Sequence, residues 1–175
     1  MAIDAFLYFK GDGAVKGEAQ DSDMKKHHPF AIDDFSFGAE NTINIGSDSG
    51  GGGAGKAVFN EFSFKKKVDT ASCGLFHNLG SGKHFKEAIL ELRRSGGTTS
   101  SSGATFLKFH FMLVMVGSVE WSGNEDEVTE DIKMHYGAMK IEYFKQDEKG
   151  KLAKASGSQG EAKWSRVLNK AAYDV

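Results

Sequence analysis

Residues 106–121, Phe106-Leu107-Lys108-Phe109-His110-Phe111-Met112-Leu113-Val114-Met115-Val116-Gly117-Ser118-Val119-Glu120-Trp121, decide the fold. Odd positions from Leu107 to Met115 are all apolar, while the even ones begin with Lys108 and His110. A period of two held this long is a β-strand with one side against a core. The apolar part carries Lys108 and His110 and falls well short of the ~20 residues a membrane-crossing helix needs.

Strand alternation continues on either side. Ile3, Ala5, Leu7 and Phe9 form one face of an N-terminal strand, and Asp4, Phe6, Tyr8 and Lys10 form a second, partly aromatic face. The apolar set moves from Phe30 and Ile32 to Phe35 and Phe37, which predicts a β-bulge across Asp33 and Asp34. Ile43 and Ile45 mark a short strand that enters the run Gly46 to Gly55. That run is read as a loop, because it has little apolar surface to bury and much backbone entropy to lose. Val58, Asn60, Phe62 and Phe64 then alternate with Ala57, Phe59, Glu61 and Ser63. Val128 to Phe144 reads as a second long strand; its apolar positions slip from Ile132, Met134 and Tyr136 to Met139, Ile141 and Tyr143, predicting a bulge near Gly137. After a polar connection from Gln146 to Gly160, the residues Ala162, Trp164, Arg166 and Leu168 read as a last strand.

One helix is expected, with an apolar stripe of Leu75, Phe76 and Leu79, a cap at Asp69 or Ser72, and Gly80 as the left-handed terminator. Residues 84–94 match both helical and strand spacing, and propensity alone favours helix. The resulting fold class is mainly β, a barrel or sandwich of eight or nine strands with one short helix.

At 175 residues, without a repeat or an interdomain linker, the chain is expected to be one domain. Fourteen Phe against a single Pro suit long strands. The formal net charge of −2 gives no bias toward phosphate backbones or anionic lipid, so neither nucleic acid nor membrane insertion is expected. A lone cysteine, Cys73, excludes an internal disulfide and fits a reducing compartment such as the cytoplasm. Met1 to Lys10 contains Asp4 and lacks the cationic start and apolar run of a secretory signal.

Gly50 to Lys56 spells most of a phosphate-binding loop, but Ala57 stands where a Ser or Thr would hold Mg²⁺, and the following residues alternate as a strand instead of opening a helix. His27, His28, His77, His84, His110 and His135 show no zinc-ligand spacing. Cys73 lacks a partner base and is expected to be a small packed residue. Asp33 with Asp34 and Asp126 with Glu127 read as solvated turn acids. No catalytic residue, metal or cofactor is expected. A long glycine-rich protrusion beside a Phe-heavy sheet points instead to self-association, with a monomeric β-sandwich binding module as the alternative.

Several stretches together resemble one family. They are Gly50-Gly51-Gly52-Gly53-Ala54-Gly55-Lys56, Phe59, Phe62-Ser63-Phe64-Lys65-Lys66, Val68-Asp69, Ala71-Ser72, Gly82-Lys83-His84, Glu87-Ala88 and Arg93. Lys16-Gly17-Glu18, Thr129-Glu130, Tyr143, Trp164 and Asn169 extend the match nearly end to end. The chain resembles the Hcp family, the tube-forming proteins of bacterial type VI secretion systems. Ala19 and Cys73 depart from that pattern, standing where the family often has Ser and Pro.

The resemblance implies a barrel-like domain of two sheets with one helix at the side, and it makes residues 84–94 a strand. It implies a homohexameric ring that stacks into a tube inside a contractile sheath, a VgrG spike at the tip and effector proteins in the lumen. The protein would leave the bacterial cytoplasm through the secretion machine without a signal peptide. By the same resemblance, Gly46, Ser47, Asp48, Ser49, Gly50, Gly51, Gly52, Gly53, Ala54, Gly55 and Lys56 would form the ring-stacking loop, while Gly117 and Ser118 would face the lumen.

Overall fold

The computed structural model describes residues 3–11, 15–44, 53–94, 103–148 and 151–175. Its strands are β1 (Ile3–Lys10), β2 (Phe30–Ala31), β3 (Asp34–Ser36), β4 (Ala39–Asn44), β5 (Gly53–Phe59) and β6 (Phe62–Lys67). They continue as β7 (His84–Arg94), β8 (Ala104–Gly123), β9 (Val128–His135), β10 (Ala138–Gln146), β11 (Leu152–Lys154) and β12 (Glu161–Ser165). The helix α1 (Ser72–Ser81) lies between β6 and β7.

The 20-residue strand β8 organises the molecule. Antiparallel β7 runs along one edge, from Arg94 opposite Ala104 to His84 opposite Met115. The other edge is shared by β10, which pairs with Leu107 to Met112, and β9, which pairs with Met115 to Gly123. From this spine the sheet runs β2-β1-β7-β8-β9-β6-β3, with β12 and β11 attached to β10. Its two ends, β2 and β3, are neighbours in the chain. Ile32 donates its N–H to Ala5 and Asp33 donates to Lys65, so two residues carry the chain from one end of the curled sheet to the other. The strand path does not close into a barrel. The parity change at Asp33 and Asp34 is therefore a change of strand partner and not a bulge.

Inside the curl lies an aromatic-rich core. Phe62 stacks on Phe111 at 4.7 Å and Phe9 on Phe85 at 4.0 Å, with the edge of Phe37 against Phe111. Leu75 of α1 closes the core and is fully buried. A smaller cluster of Phe6, Tyr8, Met24 and Ile89 lies on the opposite face of the sheet, so the aromatic side of β1 is covered as well.

The core-facing parity of β8 changes twice, where the sequence predicts an unbroken odd face. Phe111 is in the core, but Leu113 adopts a left-handed backbone (φ 53°), after which Val114 and Val116 face inward. A true bulge follows between Val116 and Ser118, and Val119 packs on the core. Opposite Leu113, the expected single strand 128–144 is interrupted at Gly137. Pairing resumes beyond Gly137 in the same register, so this interruption is a matched kink in both strands; the bulge belongs to Gly117.

Residues 84–94 form a strand, in agreement with the resemblance and against propensity. Hydrogen-bonded neighbours on both edges and burial on both faces outweigh the small intrinsic helix preference. In α1 the left-handed residue is Gly82 (φ 65°) and not Gly80. Neither Asp69 nor Ser72 is the N-cap residue, although the Asp69 carboxylate accepts from the Ala71 N–H and the Ser72 hydroxyl from the Asp69 N–H. Phe76 and Cys73 are exposed, contrary to their expected packing. The strand expected across residues 57–64 is broken between Phe59 and Phe62, and β12 stops at Ser165, before Arg166 and Leu168.

Candidate assembly surfaces

Two oppositely charged side chains occupy core-facing strand positions. Lys66 follows Phe62 and Phe64 on the inward side of β6, and Glu130 precedes Ile132 and Met134 on the inward side of β9. They are direct cross-strand partners and both are fully buried. Lys66 Nζ lies 2.8 Å from Glu130 Oε2, 2.7 Å from Asp69 Oδ1 and 3.1 Å from Ser72 Oγ, and it also donates to the Lys67 carbonyl. The Ser72 hydroxyl donates to Glu130 Oε2. Each charge is thus paired and hydrogen-bonded, the condition under which burying it is tolerable. Residues scattered through the sequence matches, Lys66, Asp69, Ser72 and Glu130, meet here and tie the start of α1 to β6 and β9.

The same cluster fixes a surface aromatic pair. Trp121 of β8 donates its indole N–H to Glu130 Oε1 at 2.7 Å, and Phe76 of α1 sets its ring edge-on at 5.5 Å. Trp121 is 50% exposed and Phe76 54% exposed, so a rigidly held apolar knob faces solvent. Val68 and Val128 are also exposed, and the Val68 N–H donates to the Val128 carbonyl. The adjoining turn carries Glu125, Asp126 and Glu127; its backbone is closed by Asn124, and Glu127 pairs with Lys67.

On the opposite face of the sheet is a groove of about 310 Å³ between Leu113, Met115, His135, Gly137, Arg166 and Val167. Arg166 donates to the Tyr136 carbonyl at 2.9 Å and lies over the Tyr136 ring. An added Cβ at Gly137 would stand 2.7 Å from the Val175 side chain and 3.3 Å from Leu113, so both would have to shift.

A third group lies on the outward face of β7, β8 and β10. His110 bridges Glu87 and Glu142, Tyr173 donates to Glu87, and Lys154 donates to Glu142. The hydrogen bond from His110, opposed by partial burial and aided by Tyr173 and Lys10, holds the Glu87 carboxyl down to about 2. For Glu142, burial pushes upward but the hydrogen bonds from Lys154 and His110 prevail, again giving about 2. Next to it, Tyr8 donates to Glu91, which also takes Thr105 and Lys108. Among the described residues no group of three or more His, Cys, Asp or Glu is arranged to hold a metal.

The residues named from the sequence fall into two places. Of the expected stacking loop, Gly46 to Gly52 lie outside the described residues. Gly53 to Lys56 are not loop but the first half of β5, which pairs with β4 in a separate two-stranded sheet. This strand also occupies the place where a phosphate-binding loop would open a helix. The register shifts between Asn41 and Ile43, and Ile43 and Val58 are both exposed. Gly117 and Ser118 lie at the β8 bulge; Gly117 is exposed, and Ser118 points to the face away from the core, opposite Lys133. The sequence reading passed over the Lys66–Glu130 pair and the knob. The pair's signal was a charge on the apolar side of each of two strands, Lys66 after Phe62 and Phe64 and Glu130 before Ile132 and Met134.

The family model described as "Type VI secretion system effector, Hcp" matches residues 6–143, most of the chain. The chain belongs to the Hcp family. Among its Hcp relatives, Protein hcp1 of Pseudomonas aeruginosa is 32% identical over 160 residues, covering 90% of this chain and 91% of that protein. A solved type six secretion system protein superposes with a TM-score of 0.81 at 28% identity, covering 97% of this chain and 99% of the other. Hcp1 from Salmonella typhimurium gives 0.71 at 25% identity, with the same shares covered. The departures of Ala19 and Cys73 leave the Hcp fold intact: Cys73 is an exposed residue of α1, and Ala19 packs on the outer cluster.

Proposed function

We propose that this Hcp chain is a structural subunit without catalytic activity, which closes into homohexameric rings that stack into the inner tube of a type VI secretion system. The carrying observation is the far half of β8. Beyond Met115, among the described residues, it is paired on one edge by β9 alone, and from Met115 on it has exposed apolar side chains on both faces, Met115 on one and Trp121 on the other. Two different sticky patches on one molecule favour a heterologous contact, which ends growth when the rotation closes.

In this reading the β4–β5 hairpin and the Gly46 to Gly52 connection form the weaker ring-to-ring contact, through Ile43 and Val58. Gly117 and Ser118 belong to the lumen wall, where small side chains leave room for effector cargo. The tube would sit inside a contractile sheath beneath a VgrG spike and leave the cytoplasm with the machine. Mass determination at micromolar concentration is expected to give about six times the 19.0 kDa chain, and annular particles in negative stain. A stable single chain at every concentration would exclude the ring. Replacing Ser118 with Trp is expected to keep rings but lower cargo retention; unchanged retention would remove Ser118 from the lumen.

A further inference from the structure

The knob and the groove described above lie on opposite faces of the same strand. Val114 and Val116 face the core, so Met115 faces away from it. After the bulge at Gly117, Val119 faces the core, and Trp121, two residues on, shares that side beyond the edge of the core. Along β8 the two sites are about 20 Å apart, at ~3.3 Å per residue.

Their surfaces are complementary in kind. The knob is two aromatic rings held in one geometry, the indole by a buried carboxylate and the phenyl by the helix. An aromatic side chain that is already fixed loses little entropy on docking, which is what an interface anchor requires. The groove offers aliphatic and thioether walls from Leu113, Met115 and Val167, with an open side. The charges also match: the knob is flanked by Glu125 and Asp126 of the acidic turn, and the groove by Arg166.

We propose that the Phe76–Trp121 knob of one copy seats in the Leu113–Met115–Val167 groove of the next, with the acidic turn facing Arg166, and that this is the contact that closes the ring. The inference rests on the ring reading above and adds which surfaces make it. Lys66 and Glu130 act in it as positioning residues, since they set the indole without reaching the neighbour.

A complementation experiment tests it. Phe76→Asp destroys the knob and leaves the groove; Val167→Glu destroys the groove and leaves the knob. Both positions are more than half exposed, so both variants are expected to fold, checked by a melting temperature close to that of the unaltered protein. At a concentration where the unaltered chain is fully annular, each variant alone is expected to be monomeric. Their equimolar mixture is expected to give a 1:1 dimer and no rings, because only one good knob and one good groove remain per pair. Rings that persist in either variant, or a mixture that stays monomeric, would overturn the knob-and-groove contact while leaving the ring itself standing. An unaltered chain that is monomeric throughout would remove the ring reading and this contact together. Trp121→Phe adds a further readout: it keeps the ring but loses the bond to Glu130, and at least a tenfold weaker assembly with an unchanged fold is expected. Full-strength assembly would show that Glu130 positions nothing.

Discussion

The two halves of β8 have the same local conformation and opposite environments. From Leu107 to Met112 the strand has neighbours on both edges, Phe109 and Phe111 in the core, and a hydrogen-bonded polar network over its other face. From Val116 to Gly123 only β9 pairs with it among the described residues, and Trp121 projects from it. The first half is satisfied within one chain, whereas the second keeps apolar surface that one chain does not cover. A kink at Leu113 and Gly137 and a bulge at Gly117 divide the two, as expected where a strand must re-aim its side chains. In the ring proposed above, folding and assembly would depend on adjacent stretches of one strand.

Breaking the buried pair is the strongest challenge to this division, because the pair supports the far half from within. Glu130→Ala leaves Lys66 buried with one fewer counter-charge and is expected to lower the unfolding free energy by about 3–5 kcal/mol, read by urea titration. Phe111→Ala in the near half is expected to cost a similar amount, about 3–5 kcal/mol, by opening a cavity among stacked rings. It should not change the surface that assembles, so rings should persist below the new melting temperature.

At the boundary, Gly137→Ala is expected to cost about 1 kcal/mol, since the added methyl meets Leu113 and the Val175 side chain. Acid reaches the near half through Glu87 and Glu142. Glu87 and Glu142 titrate near 2 in the folded chain against an ordinary 4.5, so their contribution is fully present above about 4.5 and is lost as the pH falls toward 2. Their share of the melting temperature should therefore be constant from neutral pH to about 4.5 and then decline. Glu87→Gln with Glu142→Gln should flatten that decline. Phe76→Asp is the mildest change for the fold, within about 0.5 kcal/mol, although it is expected to abolish rings. A large loss of stability from Phe76→Asp would erase the distinction between the halves.

Much of this was legible in the residues. Alternation located β1, β8, β9 and β10, and the single helix followed from the Leu75 to Leu79 spacing. Residues 84–94 were not legible from spacing, because Phe85, Ala88, Ile89 and Leu92 satisfy a helical period as well as a strand period; the pairing with β1 and β8 decides between them. The parity slip at Asp33 was visible, but its cause was a change of partner from β1 to β6, which no local pattern encodes. Lys66 and Glu130 stood on Phe- and Ile-bearing faces in plain view. Their meeting depends on which strands become neighbours.

By itself the sequence determined a mainly β domain with one helix and, through its scattered motifs, membership of the Hcp family. Side-chain period and residue chemistry are local properties, and they survive without knowledge of the fold. Only the tertiary structure decided which charges pair, where β8 turns its side chains over, and that Phe76 and Trp121 stand together in solvent opposite a groove. Those outcomes depend on contacts between residues far apart in the chain, and a strand can report which side is apolar but not what lies against it.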